Sequence, residues 1–389
     1  MILPRLLPAF LALAALPGLA VSAPLLEKTD LFEGGTGGFS LYRIPGIVVT
    51  AKGTVLAYCE ARKNSGADWG EIEVHLRRSI DGGKTWEPAR QIAHFGERMS
   101  VDLIKKGAKS GEQTVNNPVA IVDRKTGAVH FLYCLNYARC FYMRSDDDGL
   151  TFSPPVEITA AFEAFKPQCP WTVLATGPGH GIQVSKTGRL VVPVWLAYGK
   201  DGAHHPSMTG TIYSDDHGAT WKAGDIALPN GGEFKDPNET VVVELSDGRV
   251  MLNCRSESRA SRRLVTVSPD GATGWSTPRF DPALFEPICM GGIVAHPSQP
   301  GTILFSNPHS LKLDDSGREV PGGRGAREKV SIKLSHDDGA TWVANRLLED
   351  GPSAYSDLAM LPDGTALCFY ERGRKLTVAR FNLEWVTGK

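Results

Sequence analysis

Residues 145–152 read SDDDGLTF, and the same pattern returns as SIDGGKTW (79–86), SDDHGATW (214–221) and SHDDGATW (335–342), with a degenerate copy, SPDGATGW, at 268–275. The shared form is S-x-D-x-G-x-T-W. An acidic, glycine-bearing octapeptide admits three readings: a calcium loop, a pair of catalytic carboxylates or a tight turn. Calcium fails on spacing. With Gly149 at the sixth place of a calcium loop, Arg144 would stand first and Pro155 twelfth, where acidic ligands are needed. A hairpin turn fits better: Ser and Asp side chains bond the loop backbone, the glycine supplies a permissive conformation, and the aromatic residue tucks between strands.

A second signature recurs between these boxes. A turn containing glycine leads into a β-prone run: GTVLAYCEAR from Gly53, GAVHFLYCLN from Gly127, GRLVVPVWLA from Gly188, GRVMLNCRSE from Gly248, GTILFSNPHS from Gly301 and GTALCFYERG from Gly364. Each is preceded by a short apolar run such as IPGIVV, HGIQVS or SDLAML. In the first five copies a third strand-like run enters a box, as in EIEVHLRRS, and a fourth leaves it, as in EPARQI. Six units of four strands predict an all-β chain, a six-bladed β-propeller of four-stranded antiparallel blades. The last unit ends after KLTVARFNLEWV without a box, so LLEKTDLF, ahead of the first unit, is expected to supply its outer strand and close the ring. Helical periodicity is confined to parts of 160–175 and the N-terminus. A two-sheet sandwich would not carry a sixfold period.

Charge is balanced, with 42 Lys+Arg against 43 Asp+Glu, which argues against a nucleic-acid partner. The N-terminus, with one early arginine, an apolar run and the small residues Val21-Ser22-Ala23, predicts a signal peptide over 1–23. Residues 24–389 would then form a single propeller, secreted or periplasmic, with no membrane span after cleavage. Seven cysteines leave at least one unpaired in a monomer. Cys59, Cys134, Cys254 and Cys368 lie in strand-like runs; Cys140, Cys169 and Cys289 are expected in loops and free to pair. No spacing suggests a metal, and no cofactor is expected.

In such a blade the start of strand 1, the end of strand 2 and the start of strand 3 share one rim, while the boxes lie on the other. The first rim gathers Arg43 from YRIP, Glu60, Arg62 and Asp68 from EARKNSGAD, Glu239 from PNET, Arg255 from NCRSE, Arg327, Tyr355 from SAYSDL and Glu371. Arginine grips carboxylate or phosphate bidentately, so three at one mouth suggest an acidic ligand. Glu371 and Glu60 are placed to brace them. Singly, each arginine is more often a strand-end ion pair; their common rim is what counts.

Arg43-Ile44-Pro45, the boxes, EARKNSGAD, TGPGHGIQ, PNET, NCRSE and SAYSDL together resemble the exo-α-sialidases (neuraminidases) of bacteria and animals, over roughly 35–385. The boxes alone occur in many other propellers. The resemblance implies that Arg43, Arg255 and Arg327 clamp the sialic acid carboxylate, Arg327 being preferred over Arg324 for its proximity to EKVSIKLS. It implies that Tyr355 is the nucleophile, Glu239 its base, Asp68 the acid/base, that Glu371 holds Arg43, and that Arg62 lines the pocket beside the carboxylate. A tyrosine suits a sugar whose own anomeric carboxylate would repel an attacking carboxylate, and sialidases are a recognised exception to the two-carboxylate rule. His180 would face the same mouth. Trp69 and Trp171 would be core residues or walls for an N-acyl group, and His204-His205 has no third metal ligand in view. The implied partner is a sialylated glycan. A trans-sialidase, a glycosidase acting on a related nonulosonic acid and a non-catalytic glycan-binding propeller are the alternatives.

Overall fold

The computed structural model describes residues 23–64, 66–93 and 107–388, so most of the expected signal peptide lies outside the described residues. Among these residues six sheets follow one another along the chain, antiparallel except where Gly179–His180 adds a parallel strand to the second. In blade 1 the strands Leu41–Val49, Val55–Arg62, Ile72–Ser79 and Arg90–Ala93 pair in that order. The second strand of every blade is an almost unbroken apolar run because it is covered on both faces by neighbouring blades; Val55–Arg62 is buried throughout. The core is accordingly a set of blade–blade contacts. One cluster joins Ile47, Val55 and Ala57 of blade 1 to Leu367, Phe369 and Val378 of blade 6. Full burial of a Val, Leu, Ile or Phe side chain among these contributes roughly 1.5–3 kcal/mol.

Ring closure follows the sequence expectation. Leu26–Glu33 pairs antiparallel with Lys375–Phe381, from Leu26 opposite Phe381 to Glu33 opposite Lys375, and completes blade 6. The sixfold propeller is therefore established, closed by its N-terminal strand.

All five boxes sit in turns between strands 3 and 4. In SDDDGLTF, Ser145 Oγ donates to Asp147 at 2.8 Å, and Gly149 N donates to Ser145 Oγ at 2.8 Å. Asp147 also accepts from Thr151 N at 2.8 Å and Thr151 Oγ1 at 2.5 Å. Each box further reaches back to the preceding blade. Thr54 donates to Asp148, His217 meets Asp123 at 2.6 Å, Arg189 meets Asp270 at 2.9 Å and Ser246 N donates to Asp338 at 2.9 Å. The box of blade 1 reaches blade 6 through Arg380 and the carbonyl of Gly82 at 2.8 Å.

Blade 6 has no box. In its place, directly after strand 3, the chain turns into a short helix, Leu383–Thr387, in the stretch where the sequence showed only the end of the last unit. Asn382 caps it, accepting from Trp385 N at 3.1 Å. Trp385 packs on Phe381, with ring centroids 5.2 Å apart, and joins the cluster that includes Leu334 and Leu348 of blade 5. The helix thus fills the joint that a box seals elsewhere.

Two other expectations need correction. Strand 1 of blade 3 is not one run over HGIQVS. It is split into Val173–Thr176 and Ile182–Gln183, and between them Gly179–His180 pairs with blade 2 instead. The glycines and proline of TGPGHG cannot hold a continuous ladder. Cys140 is not in a loop but in strand Arg139–Ser145, fully buried.

Candidate active site

Strand 1 of blade 1 carries Arg43 at a bulge, where the pairing register shifts between Arg43 and Gly46. Ile44 there has φ 60°, a left-handed conformation that a β-branched residue adopts only under constraint. Gly46 is required because the bulged backbone lies on Tyr58; a Cβ would stand 2.2 Å from that ring. The bulge turns the Arg43 guanidinium toward Glu371, with Nε to Oε1 at 3.0 Å. Glu371, near the end of strand 2 of blade 6, also accepts from Ile44 N at 3.2 Å and Tyr355 N at 3.4 Å.

Tyr355 lies at a second bulge, between Ser353 and Ser356 in strand Ser353–Met360. Its hydroxyl donates to Glu239, standing 2.5 Å from Oε1 and 2.7 Å from Oε2. Arg255 donates to the same phenolic oxygen at 2.8 Å and is ion-paired with Glu239. The guanidinium carbons of Arg43 and Arg327 stand 5.1 and 5.2 Å from the Tyr355 ring centroid. Arg327 is fixed by donating to the carbonyl of Ile288 at 3.0 Å, and Ile288 is another β-branched residue at positive φ. Arg324 is exposed. Nε of Arg255 is buried without a partner among the described residues. Burial pushes the Tyr355 phenol well above its ordinary range, and the Glu239 charge adds to this, while Arg255, Arg327 and Arg43 pull it back.

Asp68 stands at the edge of this cluster with its side chain 53 % exposed. Arg62 holds it at 2.9 Å and Arg43 approaches at 3.4 Å. Desolvation raises its carboxyl, but the Arg62 and Arg43 charges outweigh that and hold it below the usual carboxylate range. Arg62 does not line the pocket as expected. It is buried behind Asp68, clamped by Glu60 at 2.7 Å and by the Gly66 carbonyl at 2.7 Å. The reason is Glu60, two residues away on the same strand face, which captures the guanidinium inside the blade.

His180 also departs from expectation. It bonds Asp357 at 2.8 Å and lines an axial cavity of about 410 Å³, together with Ser246, Gly301 and Asp338 of the box rim, not the arginine mouth. Burial lowers the imidazole, but Asp357 reverses that and raises it. Asp357, which also accepts from Ile47 N at 2.9 Å, was not singled out by the sequence, although SAYSDL contains it. Trp69 packs on Tyr137 beside Asp68, with centroids 4.8 Å apart. Trp171 instead donates to the carbonyl of Phe162 at 2.9 Å and belongs to the blade 2–3 core. His205 meets Asp236 at 3.7 Å through Nδ1 and Glu257 at 3.4 Å through Nε2. No third ligand was in view in the sequence, but His205, Asp236 and Glu257 bring one ligand atom each within 4.8 Å of one another, a group that could hold a metal ion.

The chain is matched over residues 53–368 by the model of the BNR repeat-like domain family. A sialidase of Micromonospora viridifaciens is 32 % identical over 97 % of this chain and 57 % of its own length. A sialidase of Bacteroides fragilis is 32 % identical over 87 % of this chain and 61 % of its own. The chain thus spans about three-fifths of the length of these two relatives. Sialidase-3 of Bos taurus is 28 % identical and is covered over 90 % of its length. Among solved structures, the Hadza microbial sialidase Hz136 superposes with a TM-score of 0.76 at 29 % identity, over 92 % of this chain and 69 % of that one. With the box repeats, the six-bladed ring and relatives from bacteria and mammals in agreement, the chain belongs to the sialidase family.

Proposed function

We propose that this protein is an exported exo-α-sialidase, which hydrolyses terminal sialic acid from glycans with retention of anomeric configuration. The observation that carries the reading is the Tyr355–Glu239 hydrogen bond ringed by three guanidiniums. Arg43, Arg255 and Arg327 bind the substrate carboxylate, and the unpartnered Arg255 Nε is a donor ready for it. Tyr355 attacks the anomeric carbon as Glu239 accepts its proton, so the nucleophile approaches an anionic sugar uncharged. The surrounding arginines stabilise the phenolate character that develops. Asp68, protonated, gives its proton to the leaving oxygen, then as carboxylate takes one from the water that releases the sugar. No step requires a metal. Glu371 and Glu60 act only by holding Arg43 and Arg62.

The test is release of a fluorophore from an α-sialoside between pH 4 and 8. Wild type should turn over, and Tyr355→Phe should lose roughly 10²–10⁴-fold in kcat while melting within a few degrees of it. Absence of wild-type turnover would leave a non-catalytic glycan binder. Undiminished activity in the variant would remove Tyr355 from the nucleophile role. Product analysis with an added glycan acceptor separates hydrolysis from transfer.

A further inference from the structure

In blade 2, Cys134 lies near the end of strand Val129–Leu135 and Cys140 near the start of Arg139–Ser145, and the register sets them directly opposite each other. Both backbone groups of Cys140 point away from that partner. Its N–H donates to Thr159 Oγ1 at 2.9 Å, and its carbonyl accepts from Ile158 N at 2.8 Å. The two cysteines are therefore a non-hydrogen-bonded cross-strand pair, in which Cα atoms approach to about 4.5 Å and side chains come closest. A disulfide needs Cα atoms roughly 4.4–6.8 Å apart, a range in which non-hydrogen-bonded cross-strand pairs fall. Both are free thiols, wholly buried in the same cluster, and Cys134 Sγ stands 3.8 Å from Thr176 Oγ1. Cys169 faces the carbonyl of Leu196 instead, and Cys289 belongs to another cluster.

We propose that Cys134 and Cys140 form a cross-strand disulfide when the chain folds in oxidising surroundings, and that this bond fixes the hairpin turn against the Asp68 loop. That turn holds Asn136 and Tyr137 at φ 53° and 51°. It presents the Tyr137 ring to Trp69, the residue after Asp68. The oxidant is a small-molecule or protein disulfide. One cysteine thiolate attacks it to give a mixed disulfide and one released thiol; the second cysteine then displaces the other thiol. Two cysteine thiols and one oxidant disulfide thus become one protein disulfide and two oxidant thiols. Thiolates do this chemistry, and burial pushes the Cys140 thiol well up, so the bond forms before the blade 2 core closes.

The experiment compares the full chain made through an exporting, oxidising route with the chain made in a reducing cytosol. A cytosolic sample refolded with oxidised glutathione forms a third arm. Each is denatured in alkylating reagent, digested and weighed. The proposal expects Cys134 linked to Cys140 in the first and third arms with the other five cysteines alkylated, and seven alkylated cysteines in the second. Alkylation of both residues in the oxidising arms, or linkage of either to another cysteine, overturns it. Oxidised wild type should also melt several degrees above both its reduced form and the Cys134→Val/Cys140→Val variant. Equal melting of oxidised and reduced protein overturns the role in fixing the turn. None of these readouts depends on sialoside turnover.

Discussion

Glu371 shows how one carboxylate positions two functional groups. It is bound by the Arg43 guanidinium and by the backbone N–H groups of Ile44 and Tyr355, so it fixes the arginine proposed to bind substrate and the strand of the proposed nucleophile together. Glu371→Gln keeps the shape but weakens the charge-assisted bond. It should lower kcat/KM by roughly 10–100-fold, mainly through KM, as measured by initial rates at subsaturating sialoside. Asp68 makes a pH prediction. Its carboxyl is held below the usual range, so the protonated form, proposed to donate to the leaving group, becomes more populated as pH falls. For a substrate with an alkyl leaving group, kcat/KM should rise from pH 7 toward pH 5. A phenol leaving group, which needs little protonation, should flatten the profile, and Asp68→Asn should flatten it for both. Most of these residues were legible in sequence because the blade pattern says which loop ends share a rim. Arg62 and His180 were misread because the pattern gives a residue's rim, not the partner that captures its side chain. Asp357 escaped notice because an aspartate inside an apolar strand has no periodic signal.

At the scale of the element, each box is both a turn and a clasp to the blade before it. Asp147 is held by Ser145 and Thr151, and its carboxyl is set down to about 2: slight burial opposes this, and the hydrogen bonds from Thr151 and Ser145 outweigh it. Asp216 and Asp270 are likewise set down to about 2. A carboxylate with a depressed folded-state value stabilises the fold above its unfolded value, near 4, and loses that contribution as pH falls toward 2. The melting temperature should therefore hold between neutrality and about pH 4 and then decline. Asp147→Ala should cost about 1 kcal/mol at pH 7 and markedly less at pH 2, read from urea unfolding at each pH. The repeat made these elements easy to count. The C-terminal helix was hidden because EWV reads equally as strand, and only the Asn382 cap and the position of Trp385 beside blade 5 decide it. The split first strand of blade 3 was hidden because glycine and proline mark a break without saying where the chain goes next.

For the molecule as a whole, stability and site are one matter, since the arginines and Tyr355 come from blades 1, 4, 5 and 6. Blade 6 is finished by Leu26–Glu33, so removing residues 24–33 would bare the edge of Lys375–Phe381 and open the ring. Soluble yield and sialoside turnover should both collapse in that deletion. A synthetic peptide of the missing segment should restore part of each, checked by light scattering and by fluorophore release. The pairing of Leu26 with Phe381 also has a consequence for biosynthesis. Leu26–Glu33 leaves the ribosome long before Lys375–Phe381 and has no partner until that strand has followed it. Blades 1 to 5 can order as they emerge, but the ring cannot lock, nor Tyr355 reach Glu239, until blade 6 has been made. On the proposed mechanism, a nascent chain stalled anywhere before blade 6 is thus catalytically silent.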